Sequence, residues 1–242
     1  MTSSDSIWPK RLPVLSESQL KAREEFMKRW HELLPKKYGV IEKFNHGFPA
    51  QLPHKLGSKT LEIGAGLGEH SRYENLARQE YYVQEYREEF CKELRKSFPP
   101  ARVFCGDIQT TQPWAAETFD RVIAIHVLEH LPNLPAALAE INRILVPGGF
   151  FDVVIPCEGG LAYSFARKIS AQRFFEREFK QDYTPIIKSE HVNNCDEICL
   201  LLDEGFHEVK RKYFPLLIPV MNLNLCIGFR FTKKVKVEIQ PS

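Results

Sequence analysis

Thr60-Leu61-Glu62-Ile63-Gly64-Ala65-Gly66-Leu67-Gly68-Glu69-His70 is the stretch that decides how this chain is read. A short apolar run meets three glycines spaced two apart and passes into a helix-compatible segment, which predicts a strand, a tight turn and a helix start. Glycines at such a turn permit positive φ and leave no Cβ atoms between a ligand and the backbone, while a following helix offers unpaired N–H groups. The stretch therefore predicts a cradle for a small molecule. A dinucleotide site has its third small residue one position later, beside a pyrophosphate, and here that position is Glu69. With Glu62 and Glu69 at the ligand-facing end, the turn suits a cation better than a pyrophosphate.

The 242 residues are enough for one sizeable α/β domain with appendages, and a hydrophobic share of 43% is that of a globular protein rather than a disordered or membrane-spanning one. Basic residues number 33 against 31 acidic, so no global charge bias and no basic run argue for a nucleic-acid partner. Cys91, Cys105, Cys157, Cys195, Cys199 and Cys226 are scattered without a Cys-x-x-Cys pair, and reduced structural thiols are expected. The polar, proline-punctuated stretch from Met1 to Pro13 lacks the apolar core of a signal peptide, which makes the cytoplasm the expected location. The apolar run from Tyr213 to Phe231 is broken by Pro215, Pro219, Asn222 and Asn224, so it reads as two strands and a loop with no membrane span.

Along the chain, a start that reads as disordered gives way to Ser16-x-x-Gln19, a capping box, with Leu20, Met27, Trp30 and Leu34 at helical spacing until Pro35. Tyr38 to Phe48 is a second short helix or a structured loop, and Pro49 to Ser58 a linker. Strands are expected over Leu61–Gly64, Tyr81–Gln84, Arg102–Cys105, Arg121–Ile125 and Phe150–Ile155, alternating with helices over Ser71–Arg78, Arg87–Ser97 and Leu134–Leu145. A helix-compatible Ser164–Phe179, a helix over Asn194–Asp203 and strands over Glu208–Tyr213 and Cys226–Thr232 complete the pattern, with a frayed tail from Lys233. Short strands alternating with helices specify a parallel sheet covered on both faces, with ligands at the carboxyl ends of the strands.

Further segments fill in the same pocket. Glu85 ends the second strand about twenty residues after the glycine turn, the spacing of a ribose-reading acid. Gly106-Asp107-Ile108 closes the third strand. Thr118-Phe119-Asp120-Arg121-Val122-Ile123-Ala124-Ile125-His126-Val127-Leu128-Glu129-His130-Leu131 and Leu145-Val146-Pro147-Gly148-Gly149 follow in order. In these motifs, over about Lys59 to Pro156, the chain resembles the class I S-adenosylmethionine-dependent methyltransferases, of the methyltransferase type 11-like kind. The resemblance implies a Rossmann-like, doubly wound, seven-stranded mainly parallel α/β sheet with an antiparallel last strand. Residues 1–52 form an N-terminal helical segment, either a lid over the pocket or a helix packed on the core. Residues 53–242 form the methyltransferase domain, with a substrate-side insert at about 157–193.

By the same resemblance, Glu62 and the backbone of Gly64, Ala65, Gly66 and Gly68 hold the methionine part of the cofactor, Glu85 and Tyr86 border the ribose, Gly106, Asp107 and Ile108 the adenine, and His126 lies beside the cofactor. The implied reaction moves a methyl group from S-adenosylmethionine to a small-molecule acceptor, leaving S-adenosylhomocysteine, with oxygen the favoured acceptor atom. A hydroxyl acceptor needs something to take its proton, and His126, His130 and His191 are the candidates, each with a structural role as its alternative. In the insert, Tyr163, Phe165, Phe174, Phe175, Phe179 and Tyr183 could stack on a ring or cover a lipid-like tail, with packing as the plainer role. His126, Glu129 and His130 at i, i+3, i+4 would share one helix face, a geometry able to hold a divalent metal, but such pairs are usually structural and no metal is expected. A non-catalytic binding partner or scaffold that keeps the cofactor site is the alternative from another class, and a nucleotide-dependent oxidoreductase is disfavoured by Glu69 and the Pro-Gly-Gly segment. A homodimer stays open.

Overall fold

Leu61, Val83, Val122, Val153 and Ile227 are buried, and each belongs to a β-rich run too short for a helix. The computed structural model describes residues 8–37, 39–99 and 102–234. Among them seven strands form one sheet: β1 (Ser58–Ile63), β2 (Gln79–Glu85), β3 (Val103–Cys105), β4 (Phe119–Ile125), β5 (Leu145–Pro156), β6 (Phe206–Phe214) and β7 (Cys226–Lys233), in the order β3-β2-β1-β4-β5-β7-β6. The first five pair in parallel, and β7 runs antiparallel between β5 and β6. This is the fold class expected from the motifs. Its switch point lies between β1 and β4, where such sheets open a crevice.

One face of the sheet is covered by α4 (Leu134–Ile144) and α8 (Cys195–Gly205), whose Leu134, Ile141, Ile198 and Leu202 join the largest apolar cluster. Asn194 starts α8 with a capping box to Glu197. The opposite face is covered by α3 (Glu88–Ser97) and, further along, by α2 (Gly39–Ala50), whose Phe44 and Phe48 pack on Val154 and Cys226. Gly228 permits this, since a Cβ there would strike the Phe48 ring. The N-terminal α1 (Glu17–Lys37) sits elsewhere. Its Ala22 and Phe26 pack against Ala171, Phe175, Tyr183 and Ile186 of the insert, which holds α5 (Leu161–Arg167), a π-helical turn (Lys168–Gln172), α6 (Arg173–Phe179) and α7 (Thr184–Glu190).

Between the α2 and α3 clusters the sheet face is ionic. Arg121 on β4 donates to Asp152 on β5 at 2.7 Å, to the Glu74 carboxylate at 2.9 Å and to the Pro49 carbonyl at 2.7 Å. Arg230 on β7 takes both oxygens of Asp152, at 2.6 and 2.7 Å, and reaches the Pro53 carbonyl. All three side chains in this Arg–Asp–Arg node are buried.

The structure corrects the expected elements in several places. No α-helix follows the glycine turn; His70–Tyr73 and Leu76–Arg78 are 3-10 turns. Glu74 between them is extended, at φ −94° and ψ 148°, and its carboxylate is bound by Arg121, His70 and Gln79, so the segment is pinned to the ionic node instead of winding into a helix. The α1 backbone stays helical to Lys37 past Pro35, two residues beyond the expected stop. Cys91 on α3 and Cys105 ending β3 form a disulfide with Cα atoms 5.9 Å apart, whereas Cys157, Cys195, Cys199 and Cys226 are free. A pairing across 14 residues is invisible without the α3–β3 contact. The start expected to be disordered is anchored from Trp8 onward: Lys10 donates to the Val192 carbonyl at 3.0 Å and to Glu197 at 2.7 Å. Residues 1–7 and the tail beyond Lys234 lie outside the described residues. No helix among those described is long and apolar enough to cross a membrane.

Replacing Asp152 by Asn should leave the buried Arg230 guanidinium without its counter-charge and Arg121 with Glu74 alone. Breaking a buried pair in this way costs about 3–5 kcal/mol, so urea unfolding of Asp152→Asn should show a loss of that order, and a change under about 1 kcal/mol would remove the node from its structural role.

Candidate functional site

The three glycines of the turn hold φ of +63°, +57° and +84° at Gly64, Gly66 and Gly68, a region bulky L-residues avoid. Their surroundings differ. A Cβ on Gly64 would strike Val127 in the turn after β4, and one on Gly68 would press on Phe98 and Leu94, whereas Gly66 faces only the Glu69 carboxylate. Two of the glycines therefore serve packing, and the middle one keeps the cradle open.

The N–H groups of the turn are held by acids rather than presented by a helix. Glu85, buried at the end of β2, accepts from Gly66 N–H at 2.9 Å with one oxygen and from Tyr86 and Arg87 N–H at 3.0 and 2.9 Å with the other. Glu69 accepts from Leu67 N–H at 3.1 Å, and Ala65 N–H donates to the Gln84 carbonyl. Gly106 N–H donates to the Glu85 carbonyl at 3.0 Å, which brings Asp107 and Ile108 to the same strand end. Ile108 is buried, and the Asp107 carboxylate is held by the Gln109 N–H and side chain. Tyr86 is exposed.

Beneath the turn, Glu62 is buried and accepts a hydrogen bond from the Tyr81 hydroxyl at 2.8 Å. Burial raises its pKa most; the Tyr81 bond opposes this and the charges of Glu69, Glu74 and Glu85 add to it, leaving the carboxyl at about 8. At neutral pH it keeps its proton, and an incoming cation would favour releasing it.

At the end of β4 the candidate histidines separate. His126 holds φ +52°, and its Nδ1 pairs with Glu129 at 3.1 Å. Burial would lower its pKa, but the Cys226 and Glu129 contacts outweigh this and hold it at about 10, while Glu129, against its own burial, is drawn to about 2 by His126, His130 and His191. The pair is an imidazolium and a carboxylate, so His126 has no lone pair to offer as a base. His130 donates Nδ1–H to the Glu190 carbonyl at 2.7 Å, and burial lowers its pKa. His191 pairs through Nδ1 with Glu158 at 2.8 Å, stands 4.9 Å centroid to centroid from the His130 ring, and lines a cavity of about 260 Å³ with Glu158, Arg167, Tyr183, Ile187 and Lys188.

The shared helix face expected for His126, Glu129 and His130 does not form, because Leu128–His130 is a single 3-10 turn with His126 outside it. Glu129, His130 and His191 instead bring one donor atom each within 4.8 Å of one another. The His126 imidazolium already neutralises the one carboxylate of that set. Of the insert aromatics, Phe175 and Tyr183 are core to the α1 contact, Tyr163 stands 6.5 Å from the His191 ring, and Phe165 is exposed.

Two residues were missed. Glu158, two residues past β5, is a strand-end acid of the same kind as Glu85, and that parallel was the available signal. Asn193 is buried and its amide donates to the Leu128 and Leu131 carbonyls, both at 2.8 Å, while Val192 and Asn193 N–H both bond the Glu129 carbonyl. This staple fastens the Leu-Glu-His turn to the segment that carries His191.

A parallel sheet with one antiparallel strand next to its edge, a glycine turn after β1 and an acid ending β2 define the class I, Rossmann-like methyltransferase architecture. Residues 61–153 match the family model described as a methyltransferase domain. Over that segment the chain is similar to the class I S-adenosylmethionine-dependent methyltransferases. It is 28% identical over 119 residues to the sterol 24-C-methyltransferase erg6 of Schizosaccharomyces pombe, covering 47% of this chain and 32% of that one. It is 28% identical over 120 residues to (S)-coclaurine N-methyltransferase of Papaver somniferum, covering 46% and 33%. The chain thus spans about a third of the length of these curated relatives. In fold it is similar to the N-methyltransferase NodS of Bradyrhizobium japonicum WM9, solved with S-adenosyl-L-homocysteine, at TM-score 0.58 and 16% identity over 90% of this chain and 99% of that one.

The Glu62 proton sets a sign for stability against pH. Below the ordinary carboxyl range the group is neutral folded and unfolded; above it the unfolded chain ionises while the folded one does not, so stability falls as pH climbs toward 8. Glu62→Gln should match the wild type near pH 4 and exceed it by about 1–3 kcal/mol near pH 8 in urea unfolding. A gap that stays flat with pH would mean Glu62 is ionised in the fold.

Proposed function

We propose that this chain transfers the methyl group of S-adenosylmethionine to a hydroxyl of a small-molecule acceptor, and that His191, oriented by Glu158, takes the acceptor's proton. The observation that carries the second part is the 2.8 Å contact of His191 Nδ1 with Glu158 in the wall of a cavity. A carboxylate on Nδ1–H orients the ring and leaves Nε2 as the acceptor of a proton. His126, already an imidazolium paired with Glu129, is a positioning residue in this reading.

The residues of the cradle fit the cofactor. The neutral carboxyl of Glu62 among Glu69, Glu74 and Glu85 suits a ligand that carries an ammonium and a sulfonium. Gly66 keeps the turn open, and by the family resemblance Glu85 would accept the ribose hydroxyls while Asp107 and Ile108 would border the adenine. Bound there, S-adenosylmethionine supplies a methyl group already activated on sulfur. The chain's own part is then alignment of the acceptor and removal of its proton, since an activated methyl needs little further assistance.

The relatives include enzymes named as C- and N-methyltransferases, so the oxygen assignment rests on the Glu158–His191 pair and not on likeness. Calorimetric titration with S-adenosylhomocysteine should give micromolar-range binding, weakened about 10–100-fold in Glu85→Ala and unchanged in His191→Gln. Turnover with an accepted hydroxyl substrate, found by mass spectrometry of extract treated with labelled cofactor, should fall about 10²–10⁴-fold in His191→Gln. Binding without any methylated product would favour the non-catalytic binding protein, and tight nicotinamide-nucleotide binding would overturn the methyl-transfer reading. Exhaustive chelation should leave activity intact, since Glu129 is already paired; loss restored by a divalent ion would show that the Glu129–His130–His191 group holds one.

A further inference from the structure

Exposed hydrophobic side chains are ordinary when scattered singly, but a continuous face of them marks an interaction site. Such a face lies where α5 meets the β6–β7 loop. Leu161, Phe165 and Ile169 recur every four residues along α5 and the π-helical turn after it, and are 72%, 65% and 56% exposed. In the loop, Leu216, Leu217 and Val220 are exposed as well, and Leu217 carries its side chain to solvent from a left-handed backbone at φ +58°. The two pieces are one surface: Leu161 N–H donates to Asn222 Oδ1 at 3.4 Å, and Gly160 lies against Met221.

The rim of this face is basic. Around Phe165 and Ile169 a shallow recess is lined by Lys168, Arg173 and Arg177 against a single carboxylate, Glu176, which accepts from the Gln172 amide at 2.8 Å. Among the described residues, neither Lys168 nor Arg173 has an ion-pair partner.

We propose that this face docks the chain on an anionic lipid bilayer. A bilayer surface answers both halves of the pattern, since its acyl boundary accepts leucine and phenylalanine side chains while its headgroups accept the lysine and arginines. A second copy of the chain answers only one, because a two-fold contact through this face would set its cations against one another. The attachment is peripheral. Gln172 lines both the basic recess and the cavity that holds His191, so docking this way sets that cavity beside the headgroups. The proposal stands independently of methyl transfer and is tested without a turnover assay.

Cosedimentation of the full chain with vesicles of phosphatidylcholine alone, and of phosphatidylcholine mixed with phosphatidylglycerol, tests it. The chain should bind the mixed vesicles and lose binding as salt rises. Binding should fall about tenfold in Phe165→Ser/Leu217→Asn, and about tenfold in Lys168→Gln/Arg173→Gln, with circular dichroism spectra and melting like the wild type in both. Either variant alone suffices if the other does not fold. No binding to the mixed vesicles, or equal binding by folded variants, would overturn the proposal. So would a concentration-dependent dimer, seen by analytical ultracentrifugation, that Phe165→Ser/Leu217→Asn dissolves.

Discussion

Asp152, buried between two guanidinium groups, is the contact on which the rest of this molecule is arranged. Its partners come from β4 and β7, and their remaining N–H groups reach the carbonyls of Pro49 and Pro53 and the carboxylate of Glu74. Two buried cations need this anion, and the geometry that satisfies all three sets where the neighbouring chain can run. It holds the end of α2 against the sheet, and it keeps the segment after the glycine turn extended at Glu74. The consequence reaches the ligand cradle. Without a full helix after β1 there is no strong helix dipole to draw an anion, and the turn's N–H groups are taken by Glu85 and Glu69. The cradle is therefore negative in character for a reason that starts some distance from it, in a node of charges under the sheet.

That node was not legible in the sequence, although Asp152 follows Phe150-Phe151, Arg230 stands between Phe229 and Phe231, and Arg121, beside Asp120, precedes Val122-Ile123. An alternating strand can turn such a residue to solvent, and only the register Asp152↔Arg230 and the adjacent β4 show that these three turn inward together. The strands themselves were readable because their apolar runs are short and bounded, and the strand-end positions of Glu85 and Gly106-Asp107 were readable because they close such runs in order. The helix after β1 failed because a helix-compatible composition over Ser71–Arg78 says nothing of what Glu74 will bind. The disulfide and the seating of α2 failed for the same reason, since both depend on packing between segments far apart in the chain.

The acceptor half illustrates how environment divides similar side chains. His126 and His191 each pair with a glutamate through Nδ1, at 3.1 and 2.8 Å. Glu129 is sealed from solvent and touches no other cation as closely, so its charge is given to His126 and keeps that ring protonated. Glu158 is shared between His191 and the Arg167 guanidinium, and the His191 ring stands on the wall of a cavity. One histidine becomes a fixed charge and the other a ring on a cavity wall, from pairs alike in geometry but three and 33 residues apart in the chain.

The two halves are joined by few residues, and those joints limit how the site can move. Gly64 meets Val127, which follows His126 directly, and the Glu129 carbonyl is stapled to Val192 and Asn193, which follow His191. One short turn thus connects the glycine turn to the segment that carries the cavity wall. The insert itself is braced from outside by Phe26 of α1, whose ring meets Phe175 and Tyr183 edge-on at 5.4 and 5.6 Å. Tyr183 also lines the cavity, so α1 braces one of its walls. The cavity wall that carries His191 is therefore braced by a helix well over a hundred residues earlier in the chain, so its shape depends on contacts between distant segments, while the residues around the glycine turn are held locally at the strand ends.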